Sequence, residues 1–457
     1  MSHFTGTGPP GNVPVANRMI AEPASRSVIN ALHASAIGVD VHHNLLVCAY
    51  QRSDHDAGLI RTEIAEFGCS SSEILRFAQW CRARNPSVIL MESTGVLWRS
   101  PYESLEDIGF TRQQLALVNA RDVKAVAGRK TDKQDAVRLV EFARLGSFSK
   151  SFVPDRKVRY ARSVARAYRK AKGDLSRHLN RYQKTLNSTG CRASIVFSNV
   201  NGKAARIILD ACISGDPNLE EVIRKNCGRL KASPEEIRDA LNFRIPPEVK
   251  ELLRSERRHL GNLEARCTEL MGMLARLQKP WEPLIELLST IPGVKKDAAR
   301  LILAETGDDL SDFSRSERFA SWCGLCPGNN KSAGKEHGSR RPKGNRYIRT
   351  VITECAHAVA LSRKGWLYER SRAFRVRMSY KKAIGAVAHL LCRIIFSILK
   401  TGREFDPRPT NAFRDACARK VARAVALAIE SNLGVSGNAV YDRGTGEVVR
   451  AVRPTGS

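Results

Sequence analysis

Apolar residues near the start of this chain gather into short runs, and only later do they spread out at helical spacing. Ile37–Asp40, Leu45–Tyr50 and Leu59–Phe67 are rich in β-branched and aliphatic side chains and read as three strands. The first two are close enough to form a hairpin. Ser70 and Glu73 are spaced as a capping box. They open a helix that runs to about Arg84, with Ile74, Phe77, Ala78 and Cys81 on one face. Ser87–Glu92 is the next strand, followed by a helix near Leu97–Ile108, a strand at Leu115–Asn119 and a helix over Asp132–Leu145.

Three strands followed by alternating helix and strand predict an α/β sheet of the ribonuclease-H type over residues 34–153. The preceding residues 1–33 are weakly patterned and rich in Gly, Pro, Ser and Asn, and are expected to form a mobile leader.

The pattern changes past Pro154. Between Arg156 and Arg192 there are twelve Lys or Arg and a single acid, Asp174, around a thin stripe that includes Val164, Tyr168, Leu175, Tyr182 and Leu186. This predicts a long basic helix. Residues 193–247 read as a small helical insertion, and a second long helix covers Glu248 to about Gln278. Residues 154–280 would then be a coiled-coil region, either an antiparallel pair or a dimerising coiled coil. The plainer reading is two surface helices on one core.

Within 281–404 the stretch Ile291-Pro292-Gly293-Val294 leads into a small-residue helix. It resembles a helix-hairpin-helix turn, which presents backbone N–H groups to phosphate. A Gly- and Lys-rich loop spans Gly328 to Gly344, and Arg346–Leu361 and Ala383–Leu399 read as packed helices, so this domain is mainly α. In the tail, 405–457, one helix is expected near Ala412–Leu433 and a hairpin turning at Arg443–Gly446.

At 457 residues the chain has room for roughly three domains. Its 75 Lys+Arg against 46 Asp+Glu give a formal charge of +29, and the positive charge is clustered. A polyanionic partner is expected, and nucleic acid is the usual one. No uninterrupted apolar run of about eighteen residues suggests a membrane span, and no secretory signal is evident. Twelve scattered Cys suit reduced thiols in a cytoplasmic protein. The lone pair Cys323 and Cys326 lacks a second pair at zinc-site spacing.

Four acids occupy telling positions. Asp40 closes the run Ala36–Val39, Glu92 closes Val88–Met91, and Asp132 and Asp135 open a helix three residues apart, on one face. Each alone would be a solvated residue or a cap. Converging carboxylates repel one another unless a cation neutralises them, and hard oxygen ligands select Mg²⁺ or Mn²⁺. Two such ions could clamp a scissile phosphate. His42 and His43 follow Asp40 and fit a hairpin position better than a ligand role.

A second feature is Ser332, flanked by Lys331 and Lys335, with Arg340, Arg341, Lys343 and Arg346 nearby to bind phosphates. A serine hydroxyl is a weak nucleophile unless deprotonated or placed beside a metal. The bland reading is a basic loop gripping DNA. Arg162, Arg166, Arg169 and Lys170 on the basic helix are further candidates for nucleic-acid contact.

Ile37-Gly38-Val39-Asp40, Glu92-Ser93-Thr94-Gly95, Gly128-Arg129-Lys130-Thr131-Asp132-Lys133-Gln134-Asp135-Ala136, Ile291-Pro292-Gly293-Val294 and Ser332-Ala333-Gly334-Lys335 follow one another in a recognisable order. From about residue 35 to residue 404 the chain resembles the DEDD-type insertion-sequence transposases, the bridge-RNA-guided recombinases. The resemblance implies a RuvC-like N-terminal domain, a coiled-coil region and a C-terminal transposase domain.

It further implies that Asp40, Glu92, Asp132 and Asp135 bind Mg²⁺ and that Ser332 forms a covalent bond to DNA. A structured guide RNA would pair with target and donor DNA, and the assembly would be a homodimer or dimer of dimers in a bacterial cytoplasm, at the nucleoid. The competing readings are a Holliday-junction or structure-specific endonuclease, with water as nucleophile, and a non-enzymatic binding protein with a decayed site.

Overall fold

A computed structural model describes residues 18–23, 31–92, 95–119, 131–228, 230–243, 245–327, 331–332, 335–336, 344–407, 422–423, 426–436 and 439–451. The chain divides into two units, Met1–Arg156 and Lys157–Ser457.

The first unit is a six-stranded mixed sheet. In chain order its strands are β1 (Arg18–Pro23), β2 (Ser35–Val41), β3 (Leu45–Asp54), β4 (Leu59–Gly68), β5 (Val88–Glu92) and β6 (Leu115–Val118). Across the sheet they lie in the order β1-β4-β3-β2-β5-β6. β2, β3 and β4 are joined antiparallel, while β5 runs parallel to both β2 and β6. This is the ribonuclease-H-like arrangement, with β2 at its centre.

β1 lies within residues 1–33, the stretch expected to be a mobile leader. Arg18–Pro23 pairs antiparallel with β4 along the sheet's outer edge. An edge strand tolerates Pro23 because its missing N–H removes no bond from an inner ladder.

Strand alternation divides the core in two. Ile37, Val39 and Val41 face the helices α1 (Ser71–Arg84) and α2 (Arg99–Asp107), in a cluster with Phe67, Phe77 and Tyr102. Ala36, Gly38 and Asp40 alternate to the other face. There α3 (Asp132–Leu145) buries Ala136, Leu139, Val140 and Ala143 against Ala36, Val47 and Leu90. At Gly38 the helix lies on bare backbone: a Cβ there would sit 2.4 Å from Val140 N and 2.5 Å from Ala136 O. The capping box expected at α1 is half formed. Ser70 Oγ accepts from Glu73 N at 3.4 Å, but the Glu73 carboxylate accepts from Gly68 N instead.

The second unit is mostly helical. The long α4 (Arg156–Ser188) is followed by α5 (Ala193–Val196), α6 (Lys203–Ser214), α7 (Leu219–Asn226) and α8 (Pro234–Ala240), then by the long α9 (Pro247–Leu277). α4 and α9 run antiparallel. Ala171 packs with Cys267 and Leu270, and His178 Nε2 lies 3.2 Å from Glu256 O. The four short helices close a separate core over the far end of this pair, around Tyr182, Leu186, Ile208, Ile237 and Leu253.

Next come α10 (Glu282–Ser289), α11 (Lys296–Thr306), α12 (Ser316–Trp322), the two-residue strands β7 (Lys331–Ser332) and β8 (Lys335–Glu336), and then α13 (Arg346–Leu361), α14 (Trp366–Arg377) and α15 (Tyr380–Thr401). The Pro292-Gly293 turn before α11 backs onto α13, where a Cβ on Gly293 would lie 2.9 Å from Cys355 O. α15 is long and apolar enough to cross a membrane, but half of it is buried, and it packs against α10, α12, α13 and α14 as the central helix of this bundle.

In the tail, β10 (Ala439–Asp442) and β11 (Val448–Ala451) form the expected hairpin, and β9 (Leu433–Ser436) adds a third strand to it. Of the helix expected near 412–433, residues 422–423 and 426–430 are helical, and 408–421 lie outside the described residues.

The two kinds of glycine in this fold respond oppositely to a methyl group. Gly38→Ala forces backbone apart, since the atoms it meets cannot rotate away, and should cost roughly 3 kcal/mol in denaturant unfolding. Gly261, exposed within α9, meets nothing within 4 Å. Gly261→Ala should therefore stabilise by about 0.5–1 kcal/mol. Equal effects at both positions would contradict the packing of α3 on β2.

Candidate metal centre

Asp40 is placed by three constraints. It stands at the end of the central strand, it shares a face with Gly38, and it lies under the start of α3. It is 6% exposed. Beyond it the chain turns through His42, whose N–H donates to Leu45 O at 2.9 Å, and the same turn brings the imidazole back over the strand end. His42 Nε2 lies 3.0 Å from Asp40 Oδ2 and 3.7 Å from Asp132 Oδ1. Among the described residues, one ligand atom each from Asp40, His42 and Asp132 falls within a mutual 4.8 Å, close enough to share one cation.

α3 brings its acids for a local reason. Thr131 caps it by accepting from Gln134 N at 3.3 Å, and Asp132 and Asp135 occupy its first turn, where the helix dipole favours negative charge. Asp135 also pairs with Arg138 at 3.5 Å. Glu92 is set by strand register. β2 and β5 pair Val39 with Met91, so Asp40 and Glu92 come next, side by side, at the strand ends. Val88, Leu90 and Glu92 alternate onto the α3 face. Asp40 and Asp132 thus stand in the tight group, the Asp135 charge is in range of Asp40, and register puts Glu92 at the end of the neighbouring strand.

The electrostatics fit a cation. Burial raises the Asp40 carboxyl above its ordinary value; His42 opposes this, while the Asp135 and Asp132 charges add to it. His42 Nε2 is shut off from solvent and makes no well-directed hydrogen bond. Two carboxylates and an imidazole facing one point, with a third carboxylate in range, form a donor set suited to a divalent ion. His42 exceeds its expected role: it holds the hairpin and also faces the acids. The available signal was its spacing, since residues i and i+2 at a strand end lie on one face.

The serine loop is described at two points. Ser332 pairs with Lys335 and Lys331 with Glu336 in an antiparallel hairpin. Arg340, Arg341 and Lys343 lie outside the described residues, as do Ser93, Thr94 and Gly128–Lys130.

The basic helix divides the labour of its cations in a way that spacing did not reveal. Arg166 Nε and Nη2 both donate to the Glu305 carboxylate at 2.9 Å, and Arg162 Nε lies 3.2 Å from it. Arg169 forms a two-pronged pair with Glu354 at 2.8 Å. Lys170 and Arg346 are exposed. With Arg166, Arg169, Tyr347 and Thr350 they line an open groove of ≈ 610 Å³. Arg166 also stacks over the Tyr347 ring at 4.3 Å. Neither Glu305 nor Tyr347 was singled out in the sequence; the one sign of Glu305 was an acid closing the apolar run Leu301–Ala304. Cys323 is buried against Cys392 in the helical core.

A raised carboxyl pKa means that the folded state favours the protonated form. Without a cation, the Asp40 contribution to stability is therefore fully present at low pH and is lost as pH rises through its raised value. Protons and cation compete for the same oxygens. Cation-induced stabilisation should accordingly fade on acidification above the ordinary Asp value of 3.8. Asp40→Asn removes one repelling charge. It should raise the cation-free melting temperature by about 2–4 °C, roughly 1 kcal/mol, and abolish the rise given by millimolar Mg²⁺. A Mg²⁺-induced rise that survives the substitution would remove the cation from this position.

Two family models match the chain. One, described as a transposase of the DEDD, IS110 type, covers residues 37–190, and the other, described as "Transposase IS116/IS110/IS902 family", covers residues 285–372. Together they span more than half of the sequence. A search of curated proteins finds no match. The first model covers the sheet from Ile37 in β2 onward, without β1, and all four acids, and the second contains Glu305, the Ser332 hairpin and α13. The chain belongs to the IS110-type DEDD transposases, enzymes that cleave and rejoin DNA.

Proposed function

We propose that the chain is the transposase and recombinase of an insertion sequence, exchanging DNA strands at sites chosen by a structured bridge RNA. The observation that carries this reading is the group Asp40, His42 and Asp132 at the end of the central strand, with the Asp135 charge in range. In this reading Asp40, Glu92, Asp132 and Asp135 hold Mg²⁺, for which Mn²⁺ can substitute. Bound there, the metal supplies positive charge to a scissile phosphate and its leaving oxygen. His42 keeps the Asp40 and Asp132 carboxylates turned toward the same point.

Ser332 is the nucleophile. Its Oγ bonds to phosphorus as one P–O ester bond of the DNA breaks, and the serine proton ends on the DNA oxygen that leaves. A DNA hydroxyl later displaces the serine, so one phosphoester replaces another and no outside energy source is needed. Lys331 and Lys335 beside it, with Arg340, Arg341, Lys343 and Arg346, hold the surrounding phosphates. The groove edged by Lys170 and Arg346 binds nucleic-acid backbone, with Tyr347 offering an aromatic face to a base.

The turn before α11 adds backbone N–H groups for phosphate, and the long antiparallel helices serve assembly into a homodimer or dimer of dimers. The protein works on DNA in the cytoplasm, at the nucleoid. Base pairing by the RNA supplies the sequence choice, so the protein needs a basic surface more than a base-reading one, which suits the +29 charge.

Ser332→Ala separates recombination from hydrolysis. Covalent DNA on the protein, detected as a denaturation-resistant complex, should vanish together with strand exchange, falling by at least about 10³-fold. Full cutting by that variant would point to water as nucleophile and to a structure-specific endonuclease. In a second test, Lys170→Gln with Arg346→Gln should weaken nucleic-acid binding and reduce its salt slope by about 1 for each phosphate no longer neutralised. An unchanged slope places the binding surface elsewhere.

A further inference from the structure

The loop that carries Ser332 leaves and re-enters the helical unit at one point. A Cβ on Gly344 would lie 2.2 Å from Gly324 N and 2.6 Å from Trp322 O, and Gly324 itself adopts φ +68°. The two feet of the loop therefore touch backbone to backbone, which glycine alone permits at both positions. Asn345 N donates to Trp322 O at 2.8 Å, closing the contact.

The Asn345 side chain works in two directions. Its Oδ1 caps α13, accepting from Tyr347 N at 3.0 Å and Ile348 N at 3.4 Å. Its Nδ2 donates to Glu305 Oε2 at 2.7 Å. Glu305 is 2% exposed and stands in the last turn of α11. The same carboxylate takes both donors of Arg166 and faces Arg162, whose Nη2 also reaches the Glu305 main-chain oxygen. One buried anion thus ties α4 and α11 to the residue that begins α13.

This arrangement exceeds what a helix cap needs. Tyr347 N and Ile348 N are satisfied by Oδ1 alone, and the bond to Glu305 is additional. A buried carboxylate between two guanidinium groups is held in one orientation, because any rotation would strand a charge. Its fixed oxygen then fixes Asn345, and Asn345 fixes the returning foot of the serine loop.

We propose that Glu305 and Asn345 form a latch that sets the position of the Ser332 hairpin, with both acting as positioning residues. That the hairpin carries the nucleophile rests on the function proposed above. The latch itself rests on the geometry of the loop's feet.

Asn345→Ser tests the latch, because serine caps a helix about as well as asparagine but is too short to keep the bond to Glu305. Hydrogen exchange of the full chain is followed over Lys331–Glu336 and, separately, over α13. DNA cutting is measured on a supercoiled plasmid bearing the element's ends, together with RNA transcribed from its flanks. The expected result is at least tenfold faster exchange in the hairpin, unchanged exchange in α13, and cutting reduced at least tenfold with DNA affinity within twofold of the parent. Asn345→Asp keeps the cap but turns a second acceptor toward Glu305 Oε2 in place of the Nδ2 donor, and it should loosen the hairpin at least as much.

Unchanged hairpin exchange in Asn345→Ser overturns the latch, as does an equal rise across α13, which would mean a capping role only. If hairpin exchange responds as expected while Ser332→Ala still cuts fully, the latch stands and the nucleophile assignment falls.

Discussion

The contact of α3 with the bare backbone of β2 at Gly38 governs where the acids can meet. A helix resting on a strand through side chains stands about 10 Å away, whereas the missing side chain lets Ala136 and Val140 settle onto the strand. The first turn of α3 then comes down over the strand end that carries Asp40. Asp132 and Asp40 come within reach of the same imidazole only because that approach is close. The Thr131 cap, the β2–β5 register and the His42 turn refine a position that this contact sets.

Charge is handled differently in the two units, and the contrast follows from burial. At the end of the central strand, Asp40, Asp132 and Asp135 crowd around one imidazole, with Arg138 beside Asp135, an arrangement that repels itself and favours an incoming cation. Inside the helical unit Glu305 is buried, and two arginines with an asparagine occupy its oxygens. The first arrangement leaves a demand that a ligand can meet. The second is complete, and so it holds structure in place.

Much of the N-terminal unit was legible because most of its strands are apolar runs and two of its three helices, α1 and α3, begin at a recognisable cap. The four acids stood out since they end those runs or open a helix. The leader strand Arg18–Pro23 was not legible: its stability comes from the edge of β4, a partner some 40 residues further on, and its own pattern is weak. The second half of the capping box failed because Gly68 N competed successfully for the Glu73 carboxylate. Arg162 and Arg166 looked like phosphate contacts because composition reports how many cations a helix holds and says nothing of the anion buried opposite them.

Local sequence determined the sheet and helix order, the basic character of α4, and the types of residue offered for chemistry, since these depend on side chains within a few positions of one another. Tertiary structure alone decided that Asp132 comes to the His42 imidazole beside Asp40, that Arg166 faces Glu305 while Lys170 faces solvent, and that Gly324 meets Gly344. Those outcomes depend on groups separated by tens to more than a hundred residues, and no local pattern encodes a distance that only packing can close.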